Sequence, residues 1–107
     1  FGLARSAFAA AEMLGIEPKV GVVHSADLFY TPDDTVFEMM EELGVLAVEM
    51  EAAGIYGAAA EHGGRALTIL TASDHIPSRQ SISSEERERS FGEMIELALE
   101  ALRIDAG

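Results

Sequence analysis

The strongest restriction on this chain is a regular alternation of short apolar runs with helix-patterned segments, most changeovers marked by glycine. Segment 3–14 (LARSAFAAAEML) is alanine-rich, has apolar residues at helical spacing, and is closed by Gly15. A β-rich run begins at Lys19-Val20-Gly21-Val22-Val23 and extends toward Phe29. Thr31-Pro32-Asp33-Asp34 reads as a turn that leads into a short amphipathic helix over 35–43, stopped by Gly44. Residues 45–50 read as a second apolar strand, 51–61 as a small-residue helix ending at His62-Gly63-Gly64, and 65–72 as a third buried strand. After a polar loop over 73–82, Ser83-x-x-Glu86 is a capping-box pattern that opens a long helix to about Leu102. The predicted order α, β, α, β, α, β, α belongs to an α/β fold with a largely internal sheet.

A chain of 107 residues is one domain's worth, and 49% hydrophobic residues allow a core. A domain this small buries a modest share of its surface and is marginal alone. The sequence opens at Phe1 inside a helical pattern, as a truncated or excised domain would. Nineteen acidic against seven basic residues give a net charge of −12. That field repels phosphate backbones, which argues against nucleic acid, and no Lys/Arg cluster is present for an anionic membrane. No apolar run reaches spanning length, and there is no signal-peptide pattern. There is no Cys, hence no disulfide framework and no thiolate metal site. A soluble cytoplasmic protein is the expectation.

In an α/β sheet, ligands gather at the carboxyl ends of the strands. Three predicted strand ends carry polar residues: Ser25-Ala26-Asp27-Leu28-Phe29-Tyr30, Glu49-Met50-Glu51 and Ser73-Asp74-His75. Carboxylates there are informative because a buried charge is costly unless paired or used. If the strand runs through Glu49-Met50-Glu51, alternation puts both glutamates on one face, where vicinal hydroxyls such as a ribose's are bound, with Met50 a soft apolar contact opposite. The competing reading makes Glu49 a strand-end charge and Glu51 an acid at a helix N-terminus. Asp74 is either a turn residue or a proton donor, and His75 either a loop residue or a proton-transfer group. His24, His62 and His75 lack metal-ligand spacing, and no Gly-rich phosphate cradle is present. A triad of Ser25, His75 and Asp74 has no nucleophile-elbow motif behind it.

The three strand-end segments, together with 48–56 (VEMEAAGIY), Leu67-Thr68-x-x-Thr71-x-Ser73-Asp74-His75-Ile76 and Glu86-Arg87-x-x-x-Phe91-x-x-Met94-Ile95, resemble the successive signatures of the hexameric, bacterial-type (DeoD-like) purine nucleoside phosphorylases. The match runs in order from about residue 20 to about residue 101. It implies a three-layer α/β fold with a mixed central sheet flanked by helices. Residues 1–107 would be the C-terminal portion of a single domain, without its phosphate-binding N-terminal half. It implies phosphorolysis of purine nucleosides to free base and pentose 1-phosphate, with inorganic phosphate as co-substrate, no cofactor, no metal, and a hexamer built as a trimer of dimers. Asp74 would protonate N7 of the leaving purine, with Arg87 as its catalytic partner. Glu51 would grip the ribose 2′- and 3′-hydroxyls and Met50 line the ribose. Glu49 and Ser73 would belong to the nucleoside pocket, and Phe29 would pack on the base, with Tyr30 either at the pocket edge or in packing.

Proton donation sets a requirement. A carboxylic acid with an ordinary pKa of about 3.9 is ionised at neutrality, so the donor must be kept neutral until the bond breaks, and burial does this. A permanent arginine partner does the reverse, so Arg87 is expected to approach as the carboxylate forms. The nearest alternative is a methylthioadenosine/adenosylhomocysteine nucleosidase of the same superfamily, which uses water. Uridine phosphorylase is disfavoured because a pyrimidine has no N7. A third reading, of a different class, is an inactive fragment that only binds nucleoside or oligomerises.

Overall fold

The computed structural model describes residues 1–28, 35–75 and 80–107. The chain divides into two compact units, one made of residues 1–18 and 67–107, the other of residues 19–66. The expected turn at Thr31-Pro32-Asp33-Asp34 lies outside the described residues, as do Phe29, Tyr30 and 76–79.

The discontinuous unit is a pair of packed helices, α1 (Gly2–Leu14) and α4 (Ser84–Ala106). Alanines make this possible, because small side chains let two helix backbones come close. Ala10 and Ala11 of α1 are buried against Leu97 and Ala101 of α4, with Ala7, Ile16, Ile69 and Ile104 packed around them. α1 stops as its sequence predicts. Gly15 takes φ 69°, the left-handed conformation that glycine adopts without a Cβ penalty. Its N–H then reaches the Glu12 carbonyl (3.3 Å) and the Ile16 N–H reaches the Ala11 carbonyl (2.9 Å), a Schellman stop that brings Ile16 onto the core. α4 starts at Ser83, whose Oγ accepts a hydrogen bond from the Glu86 N–H at 3.1 Å, and Glu85 and Glu86 place negative charge in its first turn.

In this unit, two expectations are corrected. Residues 65–72 form no strand: β3 (Asp74–His75) instead pairs antiparallel with β4 (Gln80–Ser81), inside the segment read as a polar loop. The Ile82 N–H extends this pairing to the Ser73 carbonyl at 3.0 Å. A strand exists only where a neighbour takes up its backbone N–H and C=O groups, and among the described residues none pairs with 65–72. The part of that run within this unit packs by side chain. Ile69 joins the α1–α4 core, and the Thr71 hydroxyl meets the Ser90 carbonyl at 3.4 Å and Met94 Sδ at 3.5 Å.

The continuous unit is a β-α-β-α run: β1 (Val23–Ser25), α2 (Thr35–Glu42), β2 (Ala47–Glu49) and α3 (Ala52–Glu61). β1 and β2 are parallel, with Val23 opposite Ala47, His24 opposite Val48 and Ser25 opposite Glu49. The pairing reaches one residue further at each end, Leu46 N–H to the Val22 carbonyl (2.8 Å) and Ala26 N–H to the Glu49 carbonyl (2.7 Å). Parallel neighbours need a crossover, and α2 supplies it. Gly21 at the entrance lets Leu46 pack close, since a Cβ there would lie 2.7 Å from Leu46 Cδ1 and the leucine side chain would have to move. The α2 and α3 helices end in the same glycine stop as α1, at Gly44 and Gly63. The β-α-β-α order with a small parallel sheet is that of an α/β fold, as the alternation predicted.

Candidate active site

In the continuous unit, the site candidates sit where β1 and β2 end and α3 begins. β2 stops at Glu49, and the next two residues bend. Glu51, at φ −125° and ψ −28°, occupies the N-cap position of α3. Strand alternation therefore does not extend through Glu49-Met50-Glu51, and the expectation that it places both glutamates on one face is corrected. The Glu49 carboxylate turns to the helix start instead. Its Oε2 accepts from the Glu51 and Ala52 N–H groups, both at 2.6 Å, and its Oε1 accepts from the Ser25 hydroxyl. The Ser25 Oγ in turn accepts from the Ala53 N–H at 2.9 Å.

A helix start leaves its first N–H groups without intrahelical partners. Here Glu49 and Ser25 satisfy those of Ala52 and Ala53 from the two neighbouring strand ends. These contacts hold the Glu49 carboxyl below the ordinary carboxylate pKa. The Ser25 hydroxyl contributes most and the Ala52 N–H next, against an opposing effect of partial desolvation; the Glu51 N–H and the charge of His24 add less. Glu51 is exposed, and its Oε2 accepts from the Met50 N–H at 3.2 Å. Met50 is exposed as well.

In the discontinuous unit, Ser73 leads into β3 and its hydroxyl donates to Asp74 Oδ2 at 2.9 Å. Asp74 and His75 are exposed at the β3–β4 pair, so the expectation that Asp74 is buried is corrected for the chain by itself. Arg87 lies in the first turn of α4, half-buried, and its Nε is a buried donor with no hydrogen-bond partner among the described residues. No ion pair joins Arg87 to Asp74 among the described residues. The structure thus brings Ser73 to Asp74 and Glu49 to the start of α3, and shows no ion pair between Arg87 and Asp74 among the described residues. Phe29 and Tyr30, expected beside the base, lie outside the described residues. Ser25 was legible only as one letter of a motif. Its contact with Glu49 depends on the register of two strands 24 residues apart, which nothing local reports.

Among the described residues, no group of three His, Asp or Glu side chains is placed to hold a metal ion, and no helix is long and apolar enough to cross a membrane.

The sequence model of the phosphorylase superfamily matches residues 1–104. The chain belongs to the phosphorylase superfamily. It is 57% identical over 105 residues to a DeoD-type purine nucleoside phosphorylase of Histophilus somni, covering 98% of this chain and 44% of that one. It is also 55% identical over 102 residues to the DeoD-type enzyme of Tolumonas auensis and 56% identical over 102 to that of Proteus mirabilis. Those two matches each cover 95% of this chain and 43% of the relative. The chain therefore spans less than half the length of these curated relatives.

Proposed function

We propose that this chain is the C-terminal, base- and ribose-binding portion of a purine nucleoside phosphorylase, working with a phosphate-binding portion that it does not contain. The observation that carries the reading is 57% identity across 98% of the chain to a relative of that name. The whole enzyme would cleave purine ribo- or deoxyribonucleosides, as a cytoplasmic hexamer built as a trimer of dimers, with phosphate as co-substrate and no cofactor.

In that reaction a phosphate oxygen bonds to C1′ as the C1′–N9 bond breaks. The electron pair of the broken bond passes into the purine, and the phosphoryl group stays on the sugar as pentose 1-phosphate. Asp74 gives its proton to N7, so that the base departs neutral. Arg87 then approaches the Asp74 carboxylate. An interaction formed only as charge develops lowers the barrier more than it stabilises the ground state. The buried Arg87 Nε, without a partner among the described residues, supports this role, because an unsatisfied buried donor costs about 1–3 kcal/mol that a later partner recovers. Glu51 accepts hydrogen bonds from the ribose 2′- and 3′-hydroxyls, Met50 and Ser73 line the pocket, Glu49 belongs to it, and Phe29 packs on the base.

The test is a chimera in which this chain replaces the matching 105 residues of the Histophilus somni relative. Cleavage of inosine should require inorganic phosphate and yield ribose 1-phosphate. Cleavage that proceeds in phosphate-free buffer to free ribose would assign the site to a nucleosidase, and no cleavage at all would leave a module that only binds or oligomerises.

A further inference from the structure

Glu49 is expected to belong to the nucleoside pocket, yet its two oxygens already hold the Ser25 hydroxyl and two backbone N–H groups. Its place in the pocket is therefore indirect. The segment it grips is the one that presents the ribose-binding residue: Glu49 Oε2 takes the N–H of Glu51 itself. Ser25 closes the arrangement from the neighbouring strand by donating to Glu49 and accepting from Ala53. The Ser25–Glu49 pair thus spans three successive backbone N–H groups, those of Glu51, Ala52 and Ala53. Parallel register sets this up, since Ser25 lies opposite Glu49.

We propose that Ser25 and Glu49 are positioning residues that fix the backbone of Glu51 at the start of α3, and so determine how strongly the site discriminates in favour of a sugar bearing 2′- and 3′-hydroxyls. The proposal rests on the reading of Glu51 as the ribose ligand. Its chemistry is specific. A glutamate is a flexible carboxylate on three rotatable bonds, and a bidentate contact to two vicinal hydroxyls is productive only when the carboxylate is held to within about 0.5 Å, which a fixed backbone favours. Glu49 alone holds two of the N–H groups, but Ser25 orients its carboxylate and supplies the third acceptor, so a hydroxyl on β1 acts at a distance on a residue beyond the end of β2.

The measurement is made in the Histophilus chimera, comparing inosine with 2′,3′-dideoxyinosine. Ser25→Ala should lower kcat/KM for inosine by roughly 10-fold, the loss of one charge-assisted hydrogen bond, while changing that for the dideoxynucleoside by less than about 2-fold. Ser25→Thr, which restores the hydroxyl on a residue suited to a strand, should recover the ratio, and Glu49→Gln should behave as Ser25→Ala or worse. A merely structural defect lowers both substrates together, and an equal loss in Ser25→Ala overturns the proposal. Glu51→Ala provides the separate control. If it leaves the ribose preference intact, the assignment of Glu51 is wrong. If it abolishes the preference while Ser25→Ala does not touch it, only the positioning role is wrong.

Discussion

At the residue scale, Glu49 shows how a carboxylate can be spent entirely on donors of its own chain. Three donors converge on it, and they favour its ionised form over the protonated one. The consequence for stability has a definite sign. Because the folded-state pKa is depressed below the ordinary 4.5, the stabilisation is fully present above that value and is lost as pH falls through the lower folded-state pKa. Glu49→Gln removes the titration. The difference in unfolding free energy between the wild-type chain and Glu49→Gln should hold constant above pH 4.5 and shrink below it. A difference that persists unchanged into strong acid contradicts the assignment. Arg87 presents the opposite case, a buried donor that lacks a partner among the described residues. It is costly to the fold and therefore a candidate for use.

At the element scale, the helices are governed by their ends. Ser83 and Glu86 make one half of the capping box that their spacing announced, and the Ser83 hydroxyl satisfies a backbone donor that α4 cannot. Ser83→Ala should cost about 1 kcal/mol, read as a lower midpoint in denaturant with an unchanged slope, and an unchanged midpoint would show that the cap contributes nothing. These features were legible because they are local. The glycine stops after α1, α2 and α3 and the start of α4 each lie within six residues of the signal that sets them. The strands were legible only in part. The runs at 19–29 and 45–50 did contain β1 and β2, but the run at 65–72, equally apolar, found no pairing neighbour among the described residues and stayed irregular. Apolar composition makes a segment fit to be a strand, and only a partner makes it one. The same distinction explains the site. Asp74, Glu51 and Arg87 were visible through motif resemblance, whereas the Ser25–Glu49 contact and the bend after Glu49 depend on strand register and on where β2 stops.

At the scale of the whole molecule, the buried apolar residues among those described are four alanines and Leu97. Large side chains stay at the surface instead. Phe91, Ile95, Leu99 and Leu102 recur at four-, four- and three-residue steps along α4, and all are exposed. α3 is apolar or small on every side yet has only Ala52 buried, a composition suited to the interior of a larger fold. Small cores of this kind supply little stability on their own. That balance agrees with a chain that is matched over 98% of its own length but covers 44% of its relative.

The role proposed for Asp74 is delivery of a proton to N7 of the departing purine. A purine nucleoside methylated at N7 already carries the positive charge that this proton would bring, so its base leaves neutral without an acid. Turnover of Asp74→Asn in the Histophilus chimera, measured on inosine and on N7-methylinosine, separates the two needs. Proton donation by Asp74 predicts a loss on the order of 10²- to 10⁴-fold on inosine and turnover close to that of the parent chimera on the methylated nucleoside. Equal losses on both substrates would contradict it, leaving Asp74 a residue that positions the nucleoside and transfers no proton.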